Sequence, residues 1–317
     1  MRIETRRIVI SEEEHGLRLD VYLTRRFGNF SRNEWQQRIA ENAIAINGNT
    51  ARASRRIQAG DILVFSYSMR DEPEVPTNIE IVLEDANFLI INKPPGLPVH
   101  PSGIYKTQTV TTLLKERGIL HEGYLLHRLD RETSGVLALA KNRNAAARFQ
   151  KVLRSGKIEK SYLVIVEGVI EQPISARGVI YRMPGSRLPR KRYFSLTKEP
   201  EGAIEPQTSF TEFSPIAHHA GLTLLKARLH TGRMHQIRAT LSGLGHPVVG
   251  DKLYGADENF YFKFADNELT PEDWQRLRLS RSGLHCAEML LEHPLTGEPW
   301  ALKAPLPEDM RTLIFPN

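Results

Sequence analysis

Cysteine is almost missing from this chain of 317 residues, which holds one, Cys286. A lone thiol forms no intramolecular disulfide and cannot supply a multi-cysteine zinc site. Within Leu284-His285-Cys286-Ala287 it reads as a small buried hydrophobe. The 11 histidines include no HExxH or comparable short spacing, so no metal is expected. Long apolar runs are missing as well. Nothing approaches the roughly 18 consecutive apolar residues of a membrane helix, and MRIETRRIVI holds no run suited to a signal peptide. A cytoplasmic protein without a membrane span is therefore expected. Lysine, finally, does not occur in residues 1–69, where every cation except histidine is arginine. Arginine used alone suggests planar or phosphate recognition, because its fork pairs bidentately and stacks on rings.

The composition is otherwise that of a globular chain, 40% hydrophobic and 25% charged, long enough for two domains. A net charge of +6 and a pI near 9.4 point toward polyanionic partners, nucleic acid first, with a mildly basic solvated surface as the plain alternative.

Residues 1–69 form one expected unit. Leu19, Tyr22, Leu23 and Phe27 follow helical spacing, and Ser31 is placed to cap a second helix through Trp35 and Ile39. Ala43 to Ile46 then alternates into Asn47-Gly48, a type I′ hairpin signal, and Ala59 to Phe65 reads as a closing strand. RDEPEVPT, charged and proline-bearing, makes residues 70–78 a semi-stiff linker, and residues 79–317 the large domain.

In that domain Phe88 to Asn92 reads as a buried strand, followed by the stiff loop KPPGLPVHP, since each proline fixes its own φ. Residues 142–160, NRNAAARFQKVLRSGKIEK, read as a helix capped by Asn142 or Asn144 and ended by Gly156. Ala145, Phe149, Val152 and Leu153 form its apolar stripe. Its cations, among them Arg148 and Lys151, stand nearly free of acids and suit a phosphate track; the alternative is an ordinary solvated face. Ser161 to Val166 is a core strand carrying Tyr162. Arg187, Arg190, Lys191 and Arg192 cluster on a surface excursion, for RNA contact or solubility. Thr208 to Phe213 and Leu222 to Leu229 alternate as paired strands, and Thr231 is placed to cap a helix bearing Ile237 and Leu241. Arg233 and Arg238, in that compact segment, call for carboxylate or phosphate partners, and Asp130 is available.

Asp130 lies in HRLDRETSG, residues 127–135. Arg128 and Arg131 flank it and are expected to hold the carboxylate ionised, which suits a nucleophile better than a general acid. Ser134-Gly135 signals a turn into Val136-Leu137-Ala138-Leu139-Ala140, a strand buried on both faces, so the aspartate sits on a rigid mounting. A plain Asx turn is the competing explanation.

Two resemblances emerge. RLDVYL, SRNEWQQRI, IAINGN and AGDILVF resemble the small RNA-binding domain shared by a ribosomal small-subunit protein and several RNA-modifying enzymes, which implicates Arg32 and Arg38 in RNA contact. Asn42 stands where that domain usually has glycine, and asparagine tolerates the left-handed backbone such a turn needs. NKPPGLPVHP, HRLDRETSG, KSYLVIVEG, TGRMHQIR with GHPVVGD, and SGLHCAEMLLEHPLTGE resemble, in order, the RluA/RluD family of RNA pseudouridine synthases, from about residue 85 to 300.

The second resemblance implies an α+β fold, a mixed, largely antiparallel central sheet flanked by helices, beside a small N-terminal α/β domain. It implies Asp130 as catalytic aspartate and Arg128 as the arginine associated with flipping out the target base. Tyr162 matches the aromatic that stacks on the uracil and is a candidate for moving the carbon 5 proton. Arg238 matches the partner of the aspartate, and Leu284 the apolar wall of the base pocket. The implied reaction isomerises uridine within structured RNA, ribosomal ahead of transfer RNA, and needs no cofactor. A monomer is expected. Whether Asp130 attacks ribose or uracil stays open at this level. Two other readings compete. Asp130 and Glu132 as a glycosidase pair is disfavoured, because two acids at i and i+2 among arginines offer no carboxyl with a raised pKa. An RNA-binding or ribosome-assembly protein with secondary or absent catalysis would need only the basic N-terminal unit.

Overall fold

The computed structural model describes residues 2–27, 30, 32–69, 72–188 and 190–316, with residues 2–4 and 67–69 described by their backbone. The chain divides into two compact units, Met1–Glu74 with Ser102–Thr107, and Val75–Pro101 with Gln108–Asn317.

The smaller unit carries β1 (Arg2–Val9), α1 (Leu19–Arg26), α2 (Arg32–Ala40), β2 (Ile44–Ile46), β3 (Asn49–Thr50) and β4 (Ile62–Met69). Its sheet runs β1-β4-β2-β3. Both helices exist because their apolar residues recur at helical spacing and close over the sheet. Tyr22, Leu23, Trp35 and Ile39 are buried with Ile44, Ile46, Leu63 and Phe65, and Trp35 meets the Phe65 ring edge-on at 5.4 Å. The expected hairpin forms, with Asn47 at φ 51° and Gly48 at φ 79°. Asn42 adopts φ 59°, the left-handed conformation its position requires. Ser31, the expected cap, lies outside the described residues. The strand β1 had no counterpart in the sequence reading: from Thr5 to Ile8 it is an edge strand rich in charge and mostly exposed, so it shows little alternation.

In the larger unit the elements follow as β5 (Glu80–Glu84), β6 (Phe88–Lys93), α3 (Val110–Glu116), β7 (Tyr124–Leu125), β8 (Ser134–Ala140), α4 (Arg143–Arg154), β9 (Glu159–Glu167), β10 (Ile174–Arg182), β11 (Tyr193–Ser195), β12 (Ile204–His219), β13 (Leu222–Leu229), α5 (Gln236–Gly243), α6 (Asn259–Ala265), α7 (Pro271–Leu277), β14 (Leu284–Glu292), β15 (Pro299–Lys303) and α8 (Glu308–Ile314). An 11-stranded sheet runs β11-β10-β12-β13-β9-β14-β8-β6-β5, with β15 added on β14 and β7 on β8. The expected mixed, largely antiparallel sheet is present: among the described residues one pairing is parallel, β14 with β8. Both faces are covered, which explains the near-continuous apolar runs of the central strands. On β9, Tyr162, Val164 and Val166 join a cluster with α3 and α4, while Ile165 joins Met310 and Ile314 of α8 on the other face.

The helix α4 is capped by the Asn142 side chain, which accepts from Ala145 N at 2.9 Å. Thr231, in contrast, does not cap α5. Its hydroxyl accepts from Phe210 N and donates to Gln236, and α5 begins instead after His235, in the left-handed conformation at φ 57°. Among the described residues no helix is long and apolar enough to cross a membrane.

Candidate active site

The stiff loop after β6 and the HRLDRETSG loop before β8 are fastened to each other by a buried lysine. Lys93, fully buried at the end of β6, donates its ammonium protons to the carbonyls of Pro94, Leu97 and Arg131 at 2.8, 2.9 and 3.0 Å. Gly96 N also donates to the Arg131 carbonyl, at 2.8 Å. Burial pushes the Lys93 pKa down to about 7, against the opposing pull of Asp130. Gly135 completes the mounting. It has φ 108°, and a Cβ there would fall 2.2 Å from the Cys286 carbonyl oxygen, so the parallel approach of β8 to β14 requires glycine.

The Asp130 side chain, 34% exposed, accepts from Arg238 NH1 through Oδ2 at 2.8 Å, and its Oδ1 lies 3.8 Å from His235 Nε2. Burial pushes its pKa up, but the positive Arg238 first, and His235 after it, more than offset that and hold the carboxyl below its ordinary value. The carboxylate is ionised, as expected, though for a different reason. Arg128 is exposed and has no hydrogen-bond or ion-pair partner among the described residues. Arg131 leans over the Phe264 ring at 5.2 Å and pairs with Glu132 at 3.2 Å. Arg128 faces solvent and Arg131 turns to Phe264 and Glu132, whereas Arg238 arrives from 108 residues away.

Glu132 is fully engaged elsewhere, accepting from Lys252 Nζ at 3.1 and 3.2 Å and from Ser282 N at 3.1 Å. It braces the loop, which removes the glycosidase pairing with Asp130. Lys252, 3% exposed, lies between that carboxylate and the rings of Phe264 and Trp274.

Arg238 sits on α5, a helix buried from Gln236 to Leu241. Besides Asp130 it contacts Asp251, and its guanidinium lies 4.9 Å from the centre of the Tyr254 ring. The Tyr254 hydroxyl accepts from Arg192 N at 2.8 Å, which leaves its own proton for His235 Nδ1 at 2.9 Å. This arrangement leaves the His235 proton on Nε2, facing Asp130, and burial lowers the pKa of the imidazole.

Tyr162 and Leu284 lie on adjoining strands of one apolar cluster, 7% and 4% exposed. Tyr162 has Cys286 as its cross-strand neighbour. Burial first, then Cys286 and the negative charge of Asp130, push the Tyr162 phenol well above its ordinary pKa. A neutral phenol suits stacking more than proton abstraction. Cys286 is fully buried and its thiol is pushed up to about 11, the inert state expected of it. The structure thus brings Asp130 and Arg238 into contact, with Tyr162 close enough to feel the aspartate's charge.

The cations divide differently. On α4, Arg148 and Lys151 are exposed and unpaired among the described residues. Arg233 is exposed too and donates to the Thr208 carbonyl, so it is no buried charge seeking a carboxylate. The basic excursion is partly neutralised, because Lys191 pairs with Glu258 at 2.7 Å and Arg192 with Glu205 at 3.1 Å. In the smaller unit Arg32 is half exposed and pairs with buried Asp20 at 3.0 Å, and Arg38 stacks over Phe30 at 3.9 Å. Lys93, His235, Asp251, Lys252 and Tyr254 were missed as parts of the site. The signal for Asp251 was available: an arginine in a compact segment needs a carboxylate, and GHPVVGD supplies one 13 residues on.

Comparison with known proteins follows the same division of the chain. The family described as RNA pseudouridylate synthase matches residues 87–243, and the S4 domain matches residues 17–63. An uncharacterised RNA pseudouridine synthase of Bacillus subtilis is 29% identical, covering 97% of this chain and 96% of its own. The ribosomal large subunit pseudouridine synthase D of Vibrio cholerae is 31% identical over 95% of this chain and 91% of its own. Among solved structures, human RNA pseudouridylate synthase domain containing 1 matches with a TM-score of 0.59 at 26% identity, covering 74% of this chain and 86% of that one.

Proposed function

The chain belongs to the RNA pseudouridine synthase family, and from that premise we propose that Asp130 is its reacting carboxylate and large-subunit ribosomal RNA its substrate. The observation that carries the first part is the contact of Arg238 NH1 with Asp130 Oδ2 at 2.8 Å, while Oδ1 has no hydrogen bond among the described residues and lies 3.8 Å from His235 Nε2. An anion oriented by one oxygen can act with the other.

Isomerisation breaks the bond between ribose carbon 1′ and uracil nitrogen 1, turns the freed ring and joins carbon 5 to carbon 1′. Nitrogen 1 gains a proton and carbon 5 loses one, so no net group transfer or oxidation occurs. The uracil must first leave its stack, which costs a few kcal/mol, and stacking on Tyr162 returns about 1–3 kcal/mol. The rest has to come from phosphate contacts, for which Arg128 and the unpaired Arg148 and Lys151 are available, with Arg32 and Arg38 serving the S4 domain. Leu284 walls the base pocket. Glycosidic cleavage is assisted by an Asp130 that stays ionised because Arg238 is near.

The ribosomal assignment rests on the names of relatives at 31% identity over nearly the whole chain. We place the enzyme in the cytoplasm, where it acts as a monomer. The test is to map pseudouridines in total RNA from cells with and without the gene, alongside purified wild-type and Asp130→Asn protein. A ribosomal site is expected to vanish with the gene, and Asp130→Asn to form no product while RNA affinity stays within about threefold. Loss confined to transfer RNA would sink the substrate assignment. An active Asp130→Asn protein would sink the role of the aspartate.

A further inference from the structure

Arg238 has an 11% exposed side chain and therefore needs every donor placed. Its fork is divided unequally. Nε and NH2 donate to Asp251 at 2.5 and 2.8 Å, a bidentate pairing, while NH1 alone is left for Asp130. Asp251 has no exposed surface and is itself anchored, since Oδ1 also accepts from the backbone N–H groups of Leu253 and Tyr254, each at 2.9 Å. The Tyr254 ring lies beside the guanidinium. A planar group held on one edge by two bonds and flanked by a ring has one orientation, so the direction of NH1 toward Asp130 is determined by Asp251.

The charge balance adds to the geometry. One guanidinium stands between two carboxylates. If Arg238 served Asp130 alone, the pair would be close to neutral and the aspartate a poor nucleophile. With two of three bonds directed to Asp251, Arg238 orients Asp130 while the cluster as a whole keeps a negative charge, located at the more exposed carboxylate. His235, Lys93, Tyr162 and Tyr254 also lie near Asp130, but none of them binds the Asp251 edge of the fork.

We propose that Asp251 is a positioning residue for the reaction: it clamps Arg238 so that a single N–H aims at Asp130 Oδ2, and it takes up part of the guanidinium charge so that the Asp130 anion is less neutralised by its partner. This rests on the reading of Asp130 as the reacting group, which the inactivity of Asp130→Asn tests independently.

The experiment is a double-mutant cycle on the full chain, using single-turnover pseudouridine formation on ribosomal RNA together with RNA binding and thermal melting. Asp251→Asn is expected to slow turnover on the order of 10²-fold, the effect of a small misplacement of a reacting group, with RNA affinity unchanged within about twofold. If Asp251 acts through Arg238, adding Asp251→Asn to Arg238→Met slows turnover no further. The double variant should also melt above Arg238→Met, because that single change leaves Asp251 buried and unpaired. A fold-supporting role for Asp251 independent of Arg238 gives the opposite pattern, additive loss of rate and a lower melting point in the double variant, and that result overturns the proposal. So does Asp251→Asn with wild-type turnover. Should Asp251→Asn alone fail to fold, the comparison of Arg238→Met with the charge-balanced double variant decides by the same two readouts.

Discussion

Lys93 offers a test of how the loop carrying Asp130 is held. Its ammonium is fully buried, faces three carbonyl oxygens and is depressed from 10.5 to about 7 by that burial. The shift corresponds to roughly 5 kcal/mol of penalty on the charged form. Replacing it in Lys93→Met strands the carbonyls of Pro94, Leu97 and Arg131, each worth about 1–3 kcal/mol when left without a donor, offset in part by the apolar side chain. A net loss of roughly 2–4 kcal/mol at pH 7 is expected. The pH dependence has a definite sign. From about pH 8 to 10 the unfolded chain holds this proton and the folded chain does not, so wild-type stability gains about 1.4 kcal/mol per pH unit relative to the variant, and about half that slope applies at pH 7. The deficit of Lys93→Met should therefore grow by roughly 2 kcal/mol from pH 7 to pH 9. Equilibrium urea unfolding of both proteins at the two pH values measures it, and the smaller unit, identical in both, drops out of the difference. An equal deficit at pH 7 and pH 9 would mean that the three carbonyls keep Lys93 fully charged, and would refute the dominance of burial.

Gly135→Ala places a Cβ 2.2 Å from the Cys286 carbonyl at a backbone angle alanine avoids, so a loss of at least about 3 kcal/mol and a melting point lower by roughly 6–12 °C are expected; unchanged melting would show that β8 and β14 can separate freely. Tyr162→Phe should retain substrate RNA affinity, and Tyr162→Ala should weaken it by about 5- to 150-fold, as measured by filter binding; equal affinities for all three proteins would exclude stacking on this ring. Replacing Arg148 and Lys151 together by Gln should lower RNA affinity and flatten its dependence on salt by roughly 1.5 in log–log slope, and a slope identical to wild type would remove α4 from the phosphate track.

Much of this protein was legible in one dimension because the signals involved are local. Apolar runs placed β6, β8 and β9, Asn142 and Gly156 bounded α4, and Asn47-Gly48 marked the hairpin, since periodicity and turn chemistry act over a few residues. Asp130 stood out for the same reason, as a carboxylate at the entrance to a buried strand. Local signals also misled. Arg128 and Arg131 were adjacent in sequence and yet do not hold Asp130 ionised, because a loop directs successive side chains apart. Thr231 had the chemistry of a cap but sits too early, its hydroxyl taken by Phe210 and Gln236.

The sequence alone therefore determined the class of sheet and that Asp130 sits on a loop entering a buried strand of it, and its motif resemblance singled that carboxylate out. Tertiary structure decided what that carboxylate meets. The parallel pairing of β8 with β14 made Gly135 indispensable, and it brought Ser134 to His285, 151 residues away, within a 2.9 Å hydrogen bond. The same closure set Arg238 between Asp130 and Asp251, with His235 across from Oδ1. Such contacts depend on where a sheet closes and which chains it buries together, and burial is what turns an ordinary ion pair into one that governs a pKa.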